Sequence, residues 1–384
     1  MTNTQAPRAR QERFASAMEA REYDFCVVSA PAAVAYLTDV DPRGFSDHGT
    51  TVLVDRDANT VLVTSDADGA AVAASGYQGR VTHWSHGPSA LADREAVMRG
   101  LAVGLPYGQE ARGAFDWRSR AVWEPFVSRA HPGWVIGEAE QVLADASRVK
   151  DEDELRRLRQ AANLADIGYT AVVDRMTPDL RVHEIVRNVD RSLRAAGGGG
   201  YWSPLEEPAG VTGWSHYPHG SIVTLFDRLP ETGVLDVAQL LPFGIHPLSE
   251  NYAGAIAATI ALSEPGPALR SQASQLTDAM QAAIARIGPG VTTGEVHAAF
   301  ASVLADHGTT PAEDVIGYGL GTGLTYPLIA AGTSDVLEPG MVFTVRASSD
   351  VPGVPGIVYQ TSLVVTGTGH ELLNIVPLRL IHLY

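Results

Sequence analysis

At Arg148 the chain changes character, and this change limits the architecture more than any other feature. Before it, short runs rich in β-branched residues (24–29, 50–54, 60–64) alternate with segments at helical spacing (31–37, 90–101), and 55–59 reads as a hairpin turn. After it, acidic residues from Asp151 to Glu154 open a long amphipathic helix carrying Leu155, Leu158, Ala161, Ala162, Leu164 and Ile167. A second helix over 182–196 ends in the glycines Gly197 to Gly200, which cannot continue it. Strand-like runs then follow at 222–226, 234–243 and 255–262, helices at 268–287 and 293–307, and strands at 341–346 and 357–366. The reading is α/β (α+β) in two domains, 1–147 and 148–384.

Bulk properties narrow the function. With 384 residues, 45% hydrophobic and 19% charged, the chain can bury a large core. A net charge of −16 removes the basic face that a nucleic-acid binder needs. The lone cysteine, Cys26, lies in the apolar run Phe25-Cys26-Val27-Val28 and reads as a buried, inert thiol. The polar first 13 residues lack the apolar stretch of a signal peptide, and the longest apolar run, 253–262, is about half a membrane span. A soluble cytoplasmic protein with no membrane partner is expected.

Four pieces in order carry a resemblance: Ser147-Arg148-Val149-Lys150-Asp151-Glu152-Asp153-Glu154-Leu155, Ile287-Gly288-Pro289-Gly290-Val291-Thr292, Gly319-Leu320-Gly321-Thr322-Gly323, and Leu337-Glu338-Pro339-Gly340-Met341-Val342-Phe343-Thr344. In this order, behind an α/β domain, they resemble the creatinase, prolidase and aminopeptidase P (M24) family. That resemblance implies an N-terminal creatinase-like domain, a C-terminal pita-bread domain whose two α/β halves close around a pocket, and a homodimer.

The metal-dependent members of that family hold two ions with two aspartates, a histidine and two glutamates. Carried over motif by motif, the aspartate of the strand resembled by Asn251-Tyr252-Ala253-Gly254-Ala255 falls at Ala255, and its partner eleven residues upstream at Gly244. The histidine falls at Leu320 and the two glutamates at Arg346 and Gln360. Neither an aliphatic side chain nor a guanidinium can replace a carboxylate or imidazole on a divalent cation. His246 and Glu250 would converge on an ion only on a helix, which Pro247 opposes. No metal and no other cofactor is expected.

Creatinase, which resembles this pattern in working without metal, uses a histidine as general base and acid. The matching stretch, Thr212 to Gly220, offers His216 as first choice and His219 as second. Arg346 is the second catalytic candidate, since a guanidinium grips carboxylates and is costly to bury alone. Either an internal acid (Glu206, Glu207 or Glu250) or an anionic substrate balances it. Tyr318, Tyr359, Gln360, His246 and Glu250 are substrate-binding candidates, as are Arg43 and His48 of a loop that reaches the partner subunit in creatinases. The resemblance therefore implies a metal-independent hydrolase of C–N bonds in a small, carboxylate-bearing, amino-acid-derived molecule. Elimination (a lyase), isomerisation or cyclisation uses the same parts. The rivals are a catalytically dead pita-bread pseudoenzyme that only binds, and a metallopeptidase with relocated ligands.

Overall fold

The computed structural model describes residues 5–40, 42, 50–177, 181–198, 200–201, 223–225, 240–351 and 354–383. The chain divides into two compact units, Met1–Ser147 and Arg148–Tyr384.

The first unit runs α1 (Gln5–Ala20), β1 (Phe25–Val28), α2 (Pro31–Thr38), β2 (Thr51–Asp55), β3 (Thr60–Ser65), α3 (Gly69–Ser75) and β4 (Arg80–Trp84). It continues with α4 (Ala90–Val103), β5 (Arg112–Phe115), α5 (Trp117–Ala130), β6 (Val135–Glu138) and α6 (Glu140–Ser147). Its sheet has the order β4-β3-β2-β1-β5-β6. The hairpin β2–β3 is antiparallel, and β1–β5–β6 run parallel. Strand β1 is buried on both faces, as a central strand with helices on either side must be. Cys26 and Val28 enter one core with Phe14, Val34 and Leu37, whereas Phe25 and Val27 enter another with Met98, Trp123 and Val127. Burial holds the Cys26 thiol well above its usual pKa. One carboxylate ties this layer together. Asp116 accepts from the amides of Ser29 (2.8 Å) and Ala30 (2.7 Å) ahead of α2, and from that of Ser119 (2.7 Å) in the first turn of α5.

The second unit begins with α7 (Glu152–Val173) and α8 (Val182–Ala195), followed by β7 (Gly200–Tyr201), β8 (Val223–Leu225), β9 (Leu240–Ile245), β10 (Pro247–Ser249), β11 (Tyr252–Ala253) and β12 (Ile256–Ala261). Then come α9 (Pro267–Arg286), α10 (Thr293–Asp306), β13 (Val315–Leu320), β14 (Leu324–Ala330), β15 (Val342–Val351), β16 (Val354–Val365), β17 (His370–Leu372) and β18 (Ile381–His382). The acidic start seen in the sequence is a capping box: Asp151 accepts from the Glu154 amide while Glu154 accepts from the Asp151 amide. Thr292 and Glu295 repeat it on α10.

The large sheet has the order β14-β13-β15-β16-β12-β9-β8, with β17 and β18 attached to β16 and β12. Helices α9 and α10 cover the β15–β16 half through Phe343, Val345, Ile357, Tyr359 and Leu363. Helices α7 and α8 cover the β9–β12 half through Leu241, Phe243, Ile245, Ile256 and Ala258. By the pairing register Ala258 stands beside Tyr359, so both helix pairs lie on one face of the sheet. Strand alternation turns the intervening residues to the opposite face. Between β10 and β11, Glu250 and Asn251 both take positive φ (47° and 71°), the geometry of a tight hairpin turn. His246 and Glu250 are therefore not on a helix. Among the described residues, no helix is long and apolar enough to cross a membrane.

Candidate functional site

Three of the five positions matched to metal ligands fall in one cross-strand row on the face opposite α9 and α10. Gly244 of β9 stands opposite Ala257 of β12, Ala257 opposite Gln360 of β16, and Gln360 opposite Arg346 of β15. At ~4.8 Å between strands the row is roughly 14 Å long. It crosses the seam between the two halves of the sheet.

At one end, Arg346 is buried and Nη1 donates to both carboxylate oxygens of Glu313, at 2.6 and 2.5 Å. Ser348, two residues along the same face of β15, donates to Glu313 Oε1 at 2.7 Å. Glu313 lies in the connection between α10 and β13 and is half-buried. The guanidinium thus binds an internal acid that the sequence did not suggest; of the three it did suggest, Glu250 is engaged elsewhere, and Glu206 and Glu207 lie outside the described residues. Glu250 bonds Arg156 Nη2 at 2.8 Å and lies 3.5 Å from Arg157 Nε, both on α7. Arg156 holds the Glu250 carboxyl below its usual pKa. Glu250 ties a hairpin to a helix and is not brought to the row.

In the middle of the row, Gln360 is fully buried, and its Nε2 donates to Thr344 Oγ1 at 2.7 Å. At the other end, His246 follows Gly244 by two residues and is also fully buried. Burial, and secondarily the Arg346 charge, push the imidazole pKa down to about 3. At neutral pH His246 is therefore an uncharged ring.

The other two matched positions, Ala255 and Leu320, sit in an apolar cluster with Leu158, Leu248, Tyr252, Tyr318, Val342 and Val364. Tyr318 stands opposite Thr344 but is buried within this cluster. Beside Leu320, the buried Lys150 places its Nζ 3.9 Å from where a Cβ on Gly321 would lie. Tyr359 is on the other face from the row. It belongs to the core beneath α9 and α10, where burial raises the pKa of its phenol. His216, His219, Arg43, His48, Glu206 and Glu207 lie outside the described residues.

These side chains do not fit the dinuclear centre that the family resemblance implies. A cation occupies one matched position, a neutral amide another, and two are packed in hydrocarbon. Among the described residues, no three His, Cys, Asp or Glu side chains converge. The sequence did not single out Glu313, Ser348 and Thr344. Only Thr344 and Ser348 could have been found there, as neighbours of Arg346 on one face of an alternating strand.

Comparisons with known proteins agree with this architecture. The metallopeptidase family M24 matches residues 156–367, and the creatinase/prolidase N-terminal domain matches residues 10–103. The uncharacterized peptidase YqhT of Bacillus subtilis is 27% identical over 257 residues, covering 64% of this chain and 69% of that protein. The uncharacterized peptidase SAR1786 of Staphylococcus aureus is 24% identical over 243 residues, covering 62% and 66%. The matched stretch thus spans about two thirds of each relative's own length. Dipeptidase PepE from Mycobacterium ulcerans superposes with a TM-score of 0.78 at 23% identity, covering 99% of both chains. A prolidase from Thermococcus sibiricus superposes with a TM-score of 0.80 at 14% identity, covering 97% of this chain and 98% of its own. These likenesses show the fold: a creatinase-type N-terminal domain followed by a pita-bread domain. With more than half of its residues matched, the chain belongs to metallopeptidase family M24.

Proposed function

We propose that this M24 member hydrolyses a C–N bond in a small amino-acid-derived substrate without the family's pair of metal ions, as a homodimer. The observation that carries this reading is the row Gly244–Ala257–Gln360–Arg346: it keeps a polar floor while lacking every metal ligand. In the reaction, water attacks the carbonyl carbon and a base takes its proton and returns it to the departing nitrogen, giving an acid and an amine. His216 is the proposed base, with His219 as the alternative, because neutral His246 is too weakly basic. The Arg346 guanidinium supplies a fixed positive charge on the row, where negative charge on a carbonyl oxygen is favoured. With Glu313 balancing Arg346, a carboxylate on the substrate is not needed for charge balance.

A second reading is favoured by the packing of Ala255 and Leu320 into hydrocarbon: the domain binds without cleaving. One experiment separates the two. Amine release is followed over a panel of dipeptides and N-acyl and N-carbamoyl amino acids, with chelator present and metal content measured. Hydrolysis that persists in chelator and falls at least ~100-fold in His216→Ala and His219→Ala combined supports the proposal. Turnover that requires added manganese or cobalt sinks it, and no turnover on any substrate leaves the binding reading.

A further inference from the structure

The Oε1 atom of Gln360 is buried and has no hydrogen-bond partner among the described residues. The orientation of the carboxamide follows from its neighbour. The Thr344 hydroxyl spends its hydrogen on the Thr361 carbonyl at 3.4 Å, so it faces Gln360 as an acceptor, and the amide nitrogen must be the atom that meets it. The leftover atom is therefore the carbonyl oxygen. A buried, unpaired carbonyl is an unfavourable arrangement that a native structure keeps for a reason. Here it sits mid-row, with the small Ala257 on one side and Arg346 on the other.

We propose that Gln360 Oε1 receives an N–H of an uncharged amide or ureido group, so that the row selects neutral nitrogen donors. Three features of the site set this class. A carboxylate has no hydrogen to donate. A guanidinium or ammonium would have to be paired in a buried row where Gln360 brings no negative charge and the Glu313 carboxylate is already engaged by Arg346 and Ser348. A neutral N–H satisfies the oxygen without either cost. This deepens the proposed function by naming the group beside the scissile carbonyl, and it rests on the row being the ligand site.

The test is equilibrium binding to the full chain in chelator, by calorimetry, of two probes with one skeleton: N-carbamoylglycine, whose ureido end is neutral, and guanidinoacetate, whose end is cationic. The wild type is expected to bind N-carbamoylglycine about tenfold more tightly, the worth of one hydrogen bond in a buried site. Gln360→Glu is expected to reverse that preference, and Gln360→Leu to lose it. Equal or tighter binding of guanidinoacetate to the wild type overturns the inference. So does failure of both probes to bind at millimolar concentration, or a preference that Gln360→Glu leaves unmoved. Turnover is not part of this readout. A chain that binds as stated but cleaves nothing sinks only the hydrolase reading, and one that hydrolyses with the opposite preference sinks only this inference.

Discussion

Tyr359 and Gln360 are adjacent in sequence and point to opposite faces of the sheet, the phenol into the core beneath α9 and α10 and the carboxamide into the row. Tyr359→Phe should therefore leave ligand binding and turnover unchanged, with stability within about 1 kcal/mol of the wild type. Steady-state kinetics and chemical denaturation check this. A large change in KM would place the phenol in the site after all.

Arg346 depends on Glu313. Glu313→Gln removes a charged partner of a buried guanidinium and should destabilise the chain by about 2–4 kcal/mol, toward the lower end because Glu313 itself reaches solvent. The double substitution Arg346→Met with Glu313→Leu should be more stable than Glu313→Gln alone. Denaturant midpoints of the variants decide it, and simple additivity would contradict the coupling.

Ala255 cannot be turned back into a ligand by itself. Ala255→Asp places a carboxylate among Leu158, Leu248 and Leu320, so a loss of about 3 kcal/mol or more is expected. Added manganese should not restore the melting temperature. Recovery with metal would mean that the site still assembles.

His246 makes stability depend on pH. Its folded pKa, about 3, lies below the ordinary value of 6.5, so between these values the unfolded chain binds the proton that the folded chain refuses. The stability present above pH 6.5 is then lost as pH falls toward 3, by up to ~1.4 kcal/mol per unit. His246→Gln should flatten that slope in denaturation curves taken from pH 7 to 4. An unchanged slope would assign the acid sensitivity to other groups.

Asp116 holds the starts of α2 and α5 through three amides. Asp116→Ala should cost about 2–4 kcal/mol, since each lost cap is worth ~1 and the buried amides go unpaired. Hydrogen exchange at Ser29, Ala30 and Ser119 should accelerate before that of β15 and β16.

Much of the architecture was legible because local chemistry marks it. The helix starts at Glu152, Pro267 and Thr293 are announced by Asp151 with Glu154, by a proline at the first turn, and by Thr292 with Glu295. The ends of β15 and β16 were not, because pairing carries the hairpin through polar Ser348 and Ser349, where the apolar pattern stops. The helix α1 was hidden as well. Its arginines look like solvent-facing residues, yet Arg10 is buried, held by the Tyr36 carbonyl and the Asp39 carboxylate. In the site, the row was implied by motif matching, and alternation alone could have sent Tyr359 away from Gln360. Glu313 was beyond reach: it lies 33 residues from Arg346, in a connection with no pattern.

The ion pair on the row also restricts where this sequence can go next by single changes. Replacing Arg346 with the glutamate that the family resemblance places there would set two carboxylates against each other at Glu313, and replacing Glu313 first would remove a carboxylate that the buried guanidinium binds. Either first step passes through a less stable protein. Two single changes, each unfavourable when made first, thus separate this row from the ligand set that the family resemblance implies, an epistatic barrier built from one ion pair.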